Sequence, residues 1–357
     1  MAACEGGPGK DSDGRIDVCF EFTGGEASVH DEPLVVQPAP RFDSNRQLNA
    51  ASIGSDITPF VDLSEFRMSQ PVFRPHPHAG FSAVTYMFED WSGTLSNRWS
   101  KGVATTIPSG CLHWTQAGSG MMHKEIPVNP GNSCHGVQIF FKLAVDDELT
   151  EPVAFHVAPE DIVEFVPVDG VRIRLLAGTL GDNDAGIDIR HDLTLAEIHL
   201  DTAAEITVPA PSAHNAFVFL QLGTVVTDKR EIVAGGAAVF AHDGDHLTLT
   251  ATEPTSFLFG AGPPLGMNMY TGGPFIMSSA GRLEAAFAAD ERNDMGRLTP
   301  SSEPAPLHTQ SRSPLRLPGP GGVDTATMTL ADTERQLPRD MWKDNVSALT
   351  VFLYYQR

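Results

Sequence analysis

Between Val171 and Ala251 the chain repeats one device, a short apolar or β-branched run closed by a turn signal: VRIRLLAG, LTLAEIHL, AEITVPAP, NAFVFLQLG, EIVAGGAAVFA and DHLTLTA follow one another. Runs of this length, bounded by Gly, Pro, Asn or Asp, are strands, and a close succession of them is the signature of a sandwich or barrel. Helical periodicity is scarce. Only SSAGRLEAAFAADE, Ser278 to Glu291, reads as a helix, with serines to cap it and Leu283, Ala286 and Phe287 at i, i+3 and i+4. The expected fold is all-β, two β-barrel or sandwich domains with a short helix near the end of the second.

The length of 357 residues supports that division, because a single core rarely grows so large, and 41% hydrophobic residues suffice for two cores. The expected partition is a flexible N-terminal extension over 1–45, a first domain over 46–165, a second over 166–298, and a Ser/Pro-rich linker and C-terminal segment over 299–357. The stretch TPSSEPAPLHTQSRSPLRLPGPGG, from Thr299, has too little apolar surface to fold alone, whereas the final SALTVFLYYQR is apolar enough to dock on the body or on a partner. A net charge of −21, from 24 Lys and Arg against 45 Asp and Glu, argues against neutralising nucleic-acid phosphates. No stretch is apolar enough for a leader or a membrane span, and four scattered cysteines suit a reducing compartment, so a soluble, cytoplasmic protein is expected.

The chemistry concentrates in RPHPHAGFSAVTYMFED, Arg74 to Asp90. Side chains at i and i+2 of a strand share a face, so His76 and His78 at the mouth of a β run aim two imidazoles at one point. Pro75 and Pro77 cannot donate to a central ladder, which places this entry at a rim. A lone His-x-His is as often a solvated surface pair as a ligand pair. In AGSGMMHKEIP, however, His123 and Glu125 repeat the construction after a turn marked by Gly118 and Gly120. Three imidazoles and a carboxylate suit Fe(II), Mn, Ni or Cu rather than Mg or Ca, and leave positions open for substrate or dioxygen. The second half has only His214 in SAHNAFVFLQLG, with no His-x-Glu to follow, and His242 and His246 flank a turn, so the second domain is expected to hold no metal.

The motifs PHPHAGFSAVTYMFED, HWTQAGSGMMHKEIP, HGVQIFFKL and GGPFIMSSAGRLEAAF, with TPFVDLSEF ahead of them, resemble the pirins, bicupin members of the cupin superfamily, over about Ile53 to Leu298. The resemblance implies two cupin domains, with metal ligands at His76, His78, His123 and Glu125. It implies one divalent transition metal, Fe(II) foremost, with Mn, Ni, Cu, Co or Zn as alternatives. His113 stands where many pirins carry Gln; it is read as a residue that hydrogen-bonds a ligand or substrate, or as an extra donor. The implied activity is a quercetin 2,3-dioxygenase-type ring cleavage, with Glu125 as ligand and proton acceptor and Phe73, Phe81, Trp114 and Met122 as candidate pocket walls. The substrates would be a small aromatic phenol and dioxygen. The alternative is a non-enzymatic iron-binding redox sensor that acts as a transcriptional co-regulator through a protein partner, in the nucleus if the source is eukaryotic.

Overall fold

The computed structural model describes residues 22–29, 34–35, 44–49, 57–102 and 104–298. The expected linker and C-terminal segment, 299–357, and the first 21 residues lie outside the described residues.

The first domain is a two-layer sandwich. Its larger sheet has six antiparallel strands in the order Val153–Val157, Leu112–Gln116, Phe81–Met87, Cys134–Lys142, Phe60–Met68 and Ser44–Asn49. The smaller has four, in the order His76–His78, Met121–Pro127, Leu95–Trp99 and Thr105–Ile107. Every residue of Phe81–Met87 is buried, which explains why FSAVTYM lacks polar alternation: both faces of this central strand are covered.

The second domain repeats the plan with seven strands facing four. The larger sheet runs Leu34–Val35, Gly236–Val239, Asn215–Leu222, Thr255–Gly262, Thr194–Leu200, Val171–Ala177 and Val163–Phe165; the smaller runs Glu205–Pro209, His246–Ala251, Thr224–Thr227 and Arg230–Val233. Their inner faces close on an apolar core that includes Ile173, Ile198, Val218, Leu220, Leu247, Leu249, Phe257 and Phe259.

The outer faces of the two large sheets pack on each other. Val84, Tyr86, Trp114, Ile139 and Phe141 from the first meet Leu195, Phe217, Phe219 and Leu258 from the second in one continuous buried cluster. Strand alternation then sends the intervening residues of the first sheet, Phe81, Ala83, Thr85, His113 and Thr115, into the first sandwich. Among these inward residues is His113, one of the candidate site residues.

Chain order and domain do not coincide at the edges. Val163–Phe165 pairs with Val171–Ala177, so the second sheet begins just before residue 166. Residues 22–29, within the expected N-terminal extension, lie on the second domain: the Ala27 N–H donates to the His246 carbonyl at 2.8 Å and Ser28 Oγ to Asp243 at 2.6 Å. The helix forms as expected, over Ala280–Arg292, with Ser279 Oγ accepting from the Arg282 N–H at 3.2 Å. It packs with Phe275, Met277 and Met295 against Ala79 and Met122 of the first domain.

Candidate metal centre

His76–His78 pairs antiparallel with Met121–Pro127, with His76 opposite His123 and His78 opposite Met121. Because His76 and His78 share a face, as do His123 and Glu125, this register turns three rings to the same side. One nitrogen of each of His76, His78 and His123 lies within 4.8 Å of the others. Two glycines make the approach possible. Gly80 has φ +85°, and a Cβ there would stand 2.1 Å from the Ile276 carbonyl oxygen; Gly118 has φ +50°, and a Cβ would stand 2.1 Å from that of Thr150.

The ring tautomers follow from the acceptors. His76 Nδ1 stands 2.8 Å from the Arg74 carbonyl and His78 Nδ1 3.5 Å from the Pro274 carbonyl. A carbonyl only accepts, so each Nδ1 carries the hydrogen and each Nε2 keeps a lone pair for a metal. Burial drives His76 down to about 4 and His78 and His123 well below the usual imidazole range, the last two helped by the neighbouring rings, so all three are neutral at pH 7. The Nε2 atoms of His76 and His123 face each other at 2.7 Å, while His123 Nδ1 is buried without a hydrogen-bond partner. Neutral, converging nitrogens, with His123 Nδ1 unpartnered, fit a transition metal of nitrogen preference and do not fit Mg or Ca.

Glu125, expected as the fourth ligand, lies on the same strand face but outside the group of converging atoms. Its Oε2 accepts from Thr85 Oγ1 at 2.9 Å, and burial pushes its carboxyl up to about 7 despite that bond. His113 also points inward; its Nε2 is 2.8 Å from Asn97 Nδ2 and 3.2 Å from Thr115 Oγ1, and its Nδ1 is unpartnered. Asn97 pairs in register with Glu125, so His113, Asn97, Thr85 and Glu125 form a polar interior beside the three imidazoles. Thr85 and Asn97 were missed by sequence reading. Thr85 alternates inward between apolar neighbours, a readable signal; Asn97 has none of its own.

Of the four candidate walls, Phe73 and Phe81 lie beside the centre, with ring centroids 6.1 Å from His76 and 5.0 Å from His78. Trp114 is a correction: it alternates to the outer face, stacks on Phe141 at 4.8 Å and belongs to the interdomain core. Met122 likewise alternates away from His123 and packs under the helix.

A second group of comparable spacing, Glu89, Glu197 and His199, lies in a cleft of about 700 Å³ between the large sheets. Its charge is already balanced. Arg172 Nη1 contacts Glu89 at 2.9 Å, Arg174 Nη1 stands 3.6 Å from Glu89 and 3.9 Å from Glu197, and Tyr86 donates to Glu197. Two guanidiniums already pair with its carboxylates.

Residues 43–141 match the Pirin family model and residues 195–296 the Pirin C-terminal cupin domain. The chain belongs to the pirin family. A pirin-like protein of Arabidopsis thaliana is 31% identical over 239 residues, 63% of this chain and 76% of that one. A Vibrio cholerae protein that carries quercetin 2,3-dioxygenase as a provisional name is 28% identical, over 65% of this chain and 84% of its own. Among solved structures, a quercetin 2,3-dioxygenase from Acinetobacter baumannii superposes with a TM-score of 0.70 at 22% identity, covering 76% of this chain and 99% of that one. The Escherichia coli pirin YhhW, solved in complex with nickel(II), superposes at 0.53 with 15% identity over 68% and 100%. Both show the bicupin fold. The first subdomain of this pirin carries the converging histidines; no helix among the described residues is long and apolar enough to cross a membrane.

Proposed function

We propose that this pirin is a metal-dependent dioxygenase of small phenols, of the quercetin 2,3-dioxygenase type. The observation that carries the reading is the inward-facing triad His76, His78 and His123 next to a buried carboxyl, Glu125, that has a single oxygen engaged. The solved structure and the Vibrio relative bearing that enzyme name support it.

In this reading His76, His78 and His123 hold one divalent metal, Fe(II) by preference, and Glu125 completes the set or stands beside it. The bound metal supplies Lewis acidity and redox capacity toward a chelating phenol and dioxygen. The chain's own residues do the rest. Glu125 accepts the phenolic proton on Oε1, while Thr85 holds Oε2 and fixes the carboxyl plane. Phe73 and Phe81 present apolar rings against which an aromatic substrate lies. His113, held by Asn97, orients the substrate's remaining polar edge. The site is proposed to work in the cytoplasm.

The test is dioxygen uptake and carbon monoxide release with quercetin after reconstitution with Fe(II), Mn, Ni or Cu in turn. Metal-dependent turnover is expected. A protein that binds metal at these histidines and turns over no flavonol with any of them contradicts the reading and leaves the regulatory alternative, in which the same centre serves a protein partner.

A further inference from the structure

His78 is held from two sides by parts of the chain far apart in sequence. On its backbone side, Ala79 and Gly80 lead into the Phe81–Met87 strand; on its ring side, the acceptor for Nδ1 is the Pro274 carbonyl, 196 residues away. Pro274 precedes the Phe275–Met277 strand, which lies on the first domain through a parallel bridge between Ala79 and Phe275, and the Ile276 N–H donates to the Ala79 carbonyl at 3.2 Å. The second half of the chain therefore supplies the group that fixes this ligand's tautomer.

A buried charge cluster joins the same two sides. Lys142, fully buried, donates from Nζ to the Gly80 carbonyl at 2.8 Å, to the Leu143 carbonyl at 2.8 Å and to Glu148 Oε1. The other Glu148 oxygen accepts from Ser278 Oγ at 2.8 Å and from Arg282 Nη1, which also donates to the Val145 carbonyl at 2.7 Å. Ser278 stands four residues past Pro274, and Arg282 lies in the first turn of the helix. The path is continuous: Gly80, Lys142, Glu148, then Ser278 and Arg282. All three Lys142 donors and both Glu148 oxygens are taken, which is the condition under which a buried ion pair fixes one arrangement instead of merely burdening the fold.

We propose that Lys142, Glu148 and Arg282 are positioning residues for the metal centre: they clamp the Pro274 carbonyl and the Gly80 backbone on either side of His78, and so set how tightly and in what geometry the centre holds its metal. None of the three touches a metal-ligating ring. The clamp rests on the reading that the triad binds metal. It works because a ligand imidazole is only as well oriented as the acceptor behind it, and groups that orient a ligand influence metal affinity by about tenfold to a hundredfold.

Arg282 is the position to change, because its side chain is partly exposed and its removal leaves the Lys142–Glu148 pair intact, whereas removing Glu148 would strand a buried ammonium. The full chain is loaded with Co(II), whose visible spectrum reports ligand geometry, and challenged with an excess of chelator. Arg282→Ala is expected to release Co(II) about ten times faster or more and to alter the visible bands; Arg282→Lys, which keeps the charge, is expected to restore much of the wild-type rate. Arg172→Ala, which breaks an ion pair in the interdomain cleft, serves as the control for general loosening and is expected to leave both readouts unchanged. Release at the wild-type rate with an unchanged spectrum in Arg282→Ala overturns the proposal, as does an equal effect of Arg172→Ala. If the wild-type chain holds no Co(II), the metal reading fails first, and the clamp with it.

Discussion

The two sandwiches share a plan and differ in what fills them. In the second, the inward positions of the large sheet are Ile198, Val218, Leu220, Phe257 and Phe259, and the facing sheet adds Leu247 and Leu249. In the first, the inward positions mix the apolar Val61, Phe81, Ala83 and Phe140 with Thr85, His113, Thr115 and Gln138, facing His123, Glu125 and Asn97. Each apolar side chain buried in the second domain contributes about 1.5–3 kcal/mol relative to exposure. The first domain forgoes that along much of its interior and keeps polar atoms there instead, several of them unsatisfied: His113 Nδ1, His123 Nδ1 and Asn97 Oδ1. The interface between the large sheets and the apolar cluster around Phe66, Met87 and Leu95 offsets the loss. The second sandwich is thus packed for stability and the first keeps a polar interior at the candidate metal centre, which the fold tolerates because the two large sheets pack on each other.

The contrast can be broken at several points. Glu125→Gln removes the proposed proton acceptor while keeping an oxygen that coordinates weakly; turnover of a phenolic substrate should fall by about a hundredfold to ten-thousandfold with a much smaller loss of bound metal. Wild-type turnover in this variant would mean that the proton goes elsewhere.

Phe259→Ala, in the middle of the second core, should lower unfolding stability by about 3–5 kcal/mol in urea titrations, with metal content per folded chain unchanged. Loss of metal in step with stability would show that the two interiors are not separable. Thr85→Val, an isosteric change in the first interior, should do the converse. It removes the one donor to Glu125 and should reduce turnover by up to about tenfold, the equivalent of one hydrogen bond, while unfolding stability shifts by less than about 1.5 kcal/mol.

The smallest effect belongs to the seam between the domains. Burial opposes charge on His135, but its ring N–H groups donate to the Asp90 and Glu65 carboxylates, and those bonds and charges outweigh burial and raise its pKa above 6.5. Glu65 also pairs with Arg46, and Arg67 lies opposite His135 in the sheet. A raised imidazole contributes stability that is complete below pH 6.5 and fades as pH rises through the folded value. Unfolding midpoints should therefore decline modestly above pH 6.5, and His135→Gln should flatten that decline. An unchanged slope in the variant would assign the pH dependence to another group.

Much of this was legible in the sequence, and the exceptions have physical causes. The all-β sandwich architecture follows from the turn-bounded runs, and the Ser279-capped helix from its apolar spacing. Convergence of His76, His78 and His123 follows from two i, i+2 pairs, because period-2 alternation fixes direction. That same rule, applied to HWTQ and MMHKE, sends Trp114 and Met122 away from the centre; both are apolar and near the ligands in sequence, but alternation overrides proximity. Glu125 lay on the expected face, but spacing says nothing about the competing hydroxyl of Thr85. Pro274 and the Lys142–Glu148–Arg282 clamp left no local signal at all, since they arise only when the segment after the second sandwich folds back onto the first.

On the proposed reading the first interior, and not the arginine-balanced Glu89, Glu197 and His199 group, is the metal centre. Elemental analysis of the purified chain, alongside the variant carrying His76→Ala with His123→Ala, tests it directly. The expected result is one transition-metal equivalent per wild-type chain and none in the double variant. Two equivalents in the wild type, or one equivalent surviving the loss of both histidines, would contradict it.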